Sequence, residues 1–186
     1  MDTAETSQLI EQCLAKDERA LELFVSAHQT DVFRLALSIV QDPAVANEVT
    51  QETFIAALRS LRSYQEKSSF KAWLFTITLN TSRSHLRRQK ALDKLRMTLT
   101  SILRLDLQRQ STPEDVVIQS EKEKAIWKAL NELDEKHRTV MVLRYFQDLP
   151  ISEIAEILST SEGTIHSRLH TARDRLRNAL TPLHGE

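Results

Sequence analysis

Apolar positions along this chain recur at three- and four-residue steps and make no convincing alternating run, which predicts helices and no strands. A first short helix is expected from Thr6 to Ala15, ending near Lys16. Leu21, Phe24, His28, Val32, Leu35 and Ile39 then mark one face of a long helix, with Asp17 placed to cap its start and His28 at the edge of the stripe. Asp42 and Pro43 begin the next helix, because a proline at the first helical position gives up only an N–H that has no partner there. Its inner stripe is Val45 or Ala46, Val49, Thr53 or Phe54, Ala57 and Leu61. After the polar loop RSYQEKSS, a further helix turns Phe70, Trp73, Leu74, Ile77 and Thr81 inward.

From Ala91 to Val117 the pattern weakens, and QSTPED is a turn with a cap, so this stretch reads as a linker with some helical content. A second helical unit starts near Pro113. Ile118, Ala125, Ile126, Ala129, Leu130 and Leu133 give one helix, and Val140, Leu143 and Tyr145 or Phe146 the next, which DLP stops. Two helices around Ser159 and Thr160 close the chain. Ile151, Ile154, Ala155 and Leu158 stripe the first, with Ser152 as its expected cap; Ile165, Leu169, Ala172 and Leu176 stripe the second, with Ser161 as cap. So short a connection forces the second helix across the first, the geometry that presents a recognition helix to the DNA major groove. The fold class is therefore all-α: two small helical domains, residues 1–90 and 113–186, joined by a linker at 91–112, with a helix-turn-helix in the C-terminal one.

Composition supports this. Two Gly and four Pro leave little turn chemistry for a sheet protein. The single cysteine, Cys13, can form neither an internal disulfide nor a thiolate metal site, which favours a reduced, cytoplasmic setting. The polar, acidic start carries no targeting pattern, and no apolar stretch is long enough to insert in a membrane.

The net charge of −1 hides an asymmetry. Residues 1–56 hold ten acids and three bases, whereas residues 57–97 hold ten bases and two acids. Two kinds of partner surface are implied, one acidic and one basic. On the acidic side, Asn47, Glu48, Gln51 and Glu52 form the outer face of their helix. On the basic side, Lys71, Asn80, Arg83, Ser84, Arg87, Arg88 and Lys90 share a helix with Phe70 and Trp73, an interleaving of cations and stacking platforms that suits single-stranded nucleic acid. The same two aromatics would also serve simply as core. In the last helix, Glu162, Thr164, His166, Ser167, Arg168, His170, Thr171, Arg173 and Arg175 make a polar, net-basic face, suited to duplex DNA or to solvent on an ordinary helical hairpin. Glu162, His166 and His170 recur every fourth residue, yet no further ligand and no HExxH arrangement accompanies them. With no Gly-rich phosphate loop and no nucleophile beside a base, neither a metal, a cofactor nor an enzymatic activity is implied.

Three segments in order carry a family likeness. DPAVANEVTQETFIAALRSL, SFKAWLFTITLNTSRSHLRR and ELDEKHRTVMVLRYFQDLPISEIAEILSTSEGTIHSRLHTARDRLR resemble, over nearly the whole chain, the extracytoplasmic-function group of bacterial sigma factors. The resemblance implies a promoter-specificity subunit that binds core RNA polymerase and directs initiation at −10/−35 promoters in a stress or envelope response, usually held in check by an anti-sigma protein. It implies that Asn47, Glu48, Gln51, Glu52, Phe54 and Leu58 dock on the polymerase. By the same likeness, the loop from Tyr64 through Ser68 and Ser69, with Phe70, Lys71 and Trp73, holds a flipped-out base of the melted −10 strand. Asn80 reads a base edge, with Ser84 beside it, while Arg83, Arg87 and Arg88 hold phosphates. His166, Ser167, Arg168, His170, Thr171 and Arg173 would face the −35 duplex, and Thr164 with the backbone N–H groups of Glu162 and Gly163 would take a phosphate. The chain departs from the family pattern at Leu79, Ser84, Ser159 and Thr171, where members usually carry Arg, an acid, Gly and Arg. A helix-turn-helix regulator acting without polymerase, and a purely protein-binding adaptor, are the alternatives from other classes.

Overall fold

Helix boundaries fall where local capping chemistry places them. The computed structural model describes residues 3–64, 69–103 and 121–180, and it has no strand among them. Helix α1 (Thr3–Leu14) ends as Lys16 enters the left-handed region at φ 63° and Asp17 N–H donates back to Gln12 O at 3.1 Å. Asp17 then caps α2 (Glu18–Val40), accepting from Ala20 N–H at 3.0 Å. Asp42 caps α3 (Pro43–Ser60) through Ala44 and Val45 N–H, at 2.9 and 3.1 Å. A 3₁₀ turn at Leu61–Ser63 leads towards α4 (Phe70–Leu103), whose first turn is capped by Ser69 Oγ accepting from Ala72 N–H. Helix α4 thus continues beyond residue 90, into the stretch that the sequence reads as linker.

The C-terminal unit comprises α5 (Glu121–Asn131), α6 (Glu135–Met141), α7 (Ile151–Ile157) and α8 (Glu162–Leu180) among the described residues, with a wide π-type turn at Val142–Phe146 closing α6. Two expectations are corrected here, and one open choice is decided. Ser152 caps nothing; Pro150 precedes α7 and its fixed φ of −66° sets the entry. Ile126 is 46% exposed, and the neighbouring Trp127 turns inward instead, meeting Phe146 at 5.4 Å between ring centres. Of the pair Tyr145 and Phe146, Phe146 therefore packs inward while Tyr145 faces solvent. The expected helix start near Pro113 and the contact of Ile118 lie outside the described residues.

Among the described residues, two apolar clusters hold the helices together. One joins Leu9 of α1, Phe24 of α2, Phe54 of α3 and Phe70 and Leu74 of α4, with the ring of Phe24 edge-on to both Phe54 and Phe70. The other starts on a second buried face of α4, at Ala72, Phe75 and Leu79, and runs without a break into Val140, Leu143, Ile154 and Ile165. The C-terminal unit is accordingly packed on α2 and α4. Thr78 and Ser82 also lie on the inner side of α4, their hydroxyls donating to Leu74 O and Thr78 O, so burial leaves neither unpaired. No described helix is long and apolar enough to cross a membrane.

Candidate nucleic-acid interface

The helices that carry the acidic and basic faces read from sequence border one groove. It lies between α3 and α4, encloses about 860 Å³, and is lined by Glu52, Ile55 and Arg59 on one wall and Asn80, Ser84, Arg87 and Arg88 on the other. Asn47, Glu48 and Gln51 are exposed on the outer face of α3, with Leu58 partly buried. Ile55, which the sequence reading passed over, stands on the same helix at the lip of the groove and is 51% exposed. A large aliphatic side chain facing solvent beside Glu52 offers a partner an apolar contact. Phe54 is different: it is 6% exposed and locked against Phe24, so it cannot touch a docking protein. The sequence had placed it both on the inner stripe and at the docking face, and packing decides for the stripe.

Asn80 is exposed at the groove and also borders a second concavity of about 370 Å³ with Arg83, Arg87, Lys90 and Glu135. Several basic-face residues already hold partners in the chain. Arg88 meets Glu52 at 2.7 Å across the groove, Arg83 meets Glu135 at 3.2 Å, and Lys71 meets Asp31 at 3.0 Å. Ser69 donates its hydroxyl to Glu153 of α7. Phe70 is 8% exposed, and this corrects its assignment as a base-stacking residue; it anchors a ring cluster in which Tyr64 and Trp73, both partly exposed, lie 5.3 Å from it and 5.4 Å from each other. The partly exposed rings of this cluster are those of Tyr64 and Trp73. Ser68 lies outside the described residues.

His28 sits beneath this cluster, 5.7 Å from both Phe24 and Phe70. Burial pushes its imidazole below the ordinary value; Asp31 opposes that, and Lys71 and the chain's N-terminus add to it. Cys13 is buried, and burial together with Asp17 raises its thiol above the ordinary value, which disfavours the nucleophilic thiolate.

The helix-turn-helix is built by a Schellman turn. Thr160 N–H donates to Ala155 O at 2.9 Å and Ser159 N–H to Glu156 O at 3.0 Å, with Ser159 at φ 48° in the left-handed position that glycine usually fills. The turn therefore keeps its geometry despite the missing glycine. Ser161 caps α8 as expected, accepting from Thr164 N–H at 3.3 Å, while the two hydroxyls lie 2.9 Å apart. Thr164 N–H is thus used within the chain, and Glu162 and Gly163 supply the other exposed first-turn donors. Ile165, Leu169 and Ala172 are buried; His166, Ser167, His170 and Arg173 are exposed; Arg168 and Thr171 are partly so. His170 leans on Asp174 at 3.4 Å, an acid on the same helix that the sequence reading had not considered. Among the described residues, no group of three or more His, Cys, Asp or Glu side chains is placed to hold a metal ion.

With this geometry in hand, the chain can be set beside known proteins. Residues 24–92 match Sigma-70 region 2 and residues 129–178 match Sigma-70, region 4. A non-catalytic, promoter-directing subunit of RNA polymerase is therefore the class to which both units point. The chain belongs to the extracytoplasmic-function sigma factors of the sigma-70 family, and as such it binds core RNA polymerase and promoter DNA and directs the polymerase to promoters. It is 32% identical to the RNA polymerase sigma-H factor of Pseudomonas aeruginosa, over 95% of this chain and 94% of that one. It is also 32% identical to the ECF RNA polymerase sigma-E factor of Haemophilus influenzae, over 94% and 95% respectively. Among solved structures it is similar to the sigma factor RpoE in complex with the anti-sigma factor NepR from Bartonella quintana, with a TM-score of 0.65, 25% identity, and 85% and 96% of the two chains covered. CnrH in complex with the cytosolic domain of CnrY, with a TM-score of 0.65 at 24% identity over 94% and 96% of the two chains, shares the fold.

Proposed function

We propose that the two walls of the α3–α4 groove divide the work of initiation. Helix α3, with Asn47, Glu48, Gln51, Glu52, Ile55 and Leu58, docks on polymerase. Helix α4, with Asn80, Ser84, Arg83, Arg87 and Arg88, takes the melted −10 strand, and Tyr64 and Trp73 offer it their rings. The observation that supports this division is the groove itself: Glu52 and Ile55 of α3 face Asn80, Ser84, Arg87 and Arg88 of α4 across one cleft, and Asn47, Glu48 and Gln51 are exposed elsewhere on α3. Helix α8 takes the −35 duplex through His166, Ser167, Arg168, His170, Thr171 and Arg173, with Thr164 and the amides of Glu162 and Gly163 at a phosphate. The units behind these faces are residues 1–90 and 113–186, joined through 91–112. The chain works in the cytoplasm, in a stress or envelope response, and an anti-sigma protein restrains it, as the pairing of RpoE with NepR suggests by analogy.

The test is transcription from a promoter library by sigma-free core polymerase with added chain. Asn80→Ala should reduce open-complex formation by about tenfold, the order expected when one base contact worth ~1–3 kcal/mol is lost, with polymerase affinity unchanged. Glu52→Lys should do the reverse. Equal losses of binding and opening in both variants would dissolve the division between the walls.

A further inference from the structure

Along α8, Glu162, His166, His170 and Asp174 follow one another at four-residue steps and so share one side of the helix. The burial of Ile165, Leu169 and Ala172 fixes the backbone beneath them. His170 reaches out of that support: its side chain is 74% exposed, and Nε2 lies 3.4 Å from Asp174 Oδ2. The other carboxylate oxygen, Oδ1, lies 3.4 Å from Arg177 Nη1, so Asp174 has a partner on each side. Among the described residues, no other charged side chain lies within ion-pair distance of His170. The surroundings of this imidazole are therefore set by Asp174.

A neutral imidazole carries one N–H and one lone pair, and what sits beside one nitrogen decides the role of the other. A carboxylate accepts and never donates. Beside Nε2, Asp174 favours the tautomer with its proton on Nε2, which leaves Nδ1 as an acceptor. An acceptor in the major groove pairs with the exocyclic amine of adenine or cytosine, whereas guanine and thymine meet it with acceptors of their own. A pair as exposed as this adds little to stability. Its consequence lies in which bases the ring can read. Thr171 stands where members of the family usually carry Arg, so a strong donor is missing from the next position and more of the reading falls to the imidazole.

We propose that Asp174 sets specificity within the −35 element without touching a base: it holds His170 as an acceptor, and His170 selects a base pair that presents the amine of adenine or cytosine on the strand it faces. Asp174 is thus a positioning residue, and His170 makes the contact. The inference rests on the reading of α8 as the −35 helix and adds to it the atom that His170 offers.

A base-preference profile tests it. Core polymerase carrying the full chain initiates from promoters randomised through the −35 element, at mildly alkaline pH where imidazole is neutral. His170→Ala identifies the position that the ring reads, as the one where preference flattens. There the wild type should favour adenine or cytosine over guanine or thymine by about tenfold, the order that one good base contact supplies. Asp174→Asn, whose amide can either accept from Nε2 or donate to it, should reduce that ratio to about twofold or less and leave the other positions unchanged. Asp174→Glu restores a carboxylate and should keep the ratio within about twofold of the wild type. Removing a negative charge near DNA strengthens binding to every sequence, and a ratio between bases is blind to that gain. No flattened position in His170→Ala, a wild-type preference for guanine or thymine there, or an unchanged ratio in Asp174→Asn would each overturn the proposal. So would flattening at every position in Asp174→Asn, or an Asp174→Glu profile that matches it. Absence of any −35 preference in the wild type would overturn the α8 reading beneath it as well.

Discussion

Helix α8 turns His166, Ser167 and His170 to solvent, and the acid beside them, Asp174, comes from the same helix, while Arg175 farther along lies against Asp134 at the start of α6. On α4 the cations are otherwise placed: Lys71, Arg83 and Arg88 each lie against an acid from another helix. The two faces carry similar chemistry and differ in availability. A duplex can approach α8 as it stands, whereas a strand reaching α4 must exchange protein carboxylates for its own phosphates. Each exposed pair contributes only about 0–1 kcal/mol, so phosphate can displace them one at a time. What holds the second unit over α4 is instead the buried apolar cluster that the two share.

The largest test of that difference is Arg138→Ala. It should lower the stability of the full chain to denaturant by about 2–3 kcal/mol, because Ser38 and Leu133 carbonyls lose a charged donor in a buried place. Burial lowers the pKa of Arg138, opposed by Glu135 and Asp134. A loss below about 0.5 kcal/mol would mean that water already serves those carbonyls and that the packing between the units is loose. On the α8 side, Ser159→Gly should stabilise the chain by about 1 kcal/mol, since the left-handed turn penalises any side chain. If the variant is destabilised, the turn is held by the serine side chain and not merely tolerant of it.

A smaller effect concerns His28, under the ring cluster where α4 begins. Its folded pKa lies below its unfolded value of about 6.5. Between the two, the unfolded chain binds the proton and the folded chain does not, so this contribution to stability is complete above the unfolded value and is lost as pH falls through it towards the folded one. Denaturation at about pH 7.5 and about pH 5.5 should therefore show a smaller acid loss in His28→Gln than in the wild type. Equal losses in both would place the acid sensitivity elsewhere.

Much of this was legible beforehand. The caps at Asp17, Asp42 and Ser161 act as the sequence implied, because capping depends on residues only two or three positions away. The first buried face of α4 was legible through Phe70 and Leu74. Its second face was not, since Ala72, Phe75 and Leu79 are interleaved with Thr78 and Ser82 and their partners come from the far end of the chain. An arginine among apolar neighbours reads as a surface residue, so Arg138 gave no signal until the open end of α2 lay beside it. Phe54 shows the limit of family likeness: a residue can stand within a docking helix and still face inward. The acidic partners of the basic face belong to the same class of missing knowledge, because charge counts along a chain do not say which charges meet.

The central claim, that the α8 face is open to DNA while Lys71, Arg83 and Arg88 of α4 are engaged by acids of the same chain, can be put to one measurement. Labelled single strands and duplexes from a promoter library are titrated with the full chain, alone and then with core polymerase. The account predicts weak, salt-sensitive duplex binding by the chain alone, and single-strand binding that emerges only when polymerase is added. Single-strand binding by the free chain as tight as in the presence of polymerase would contradict it.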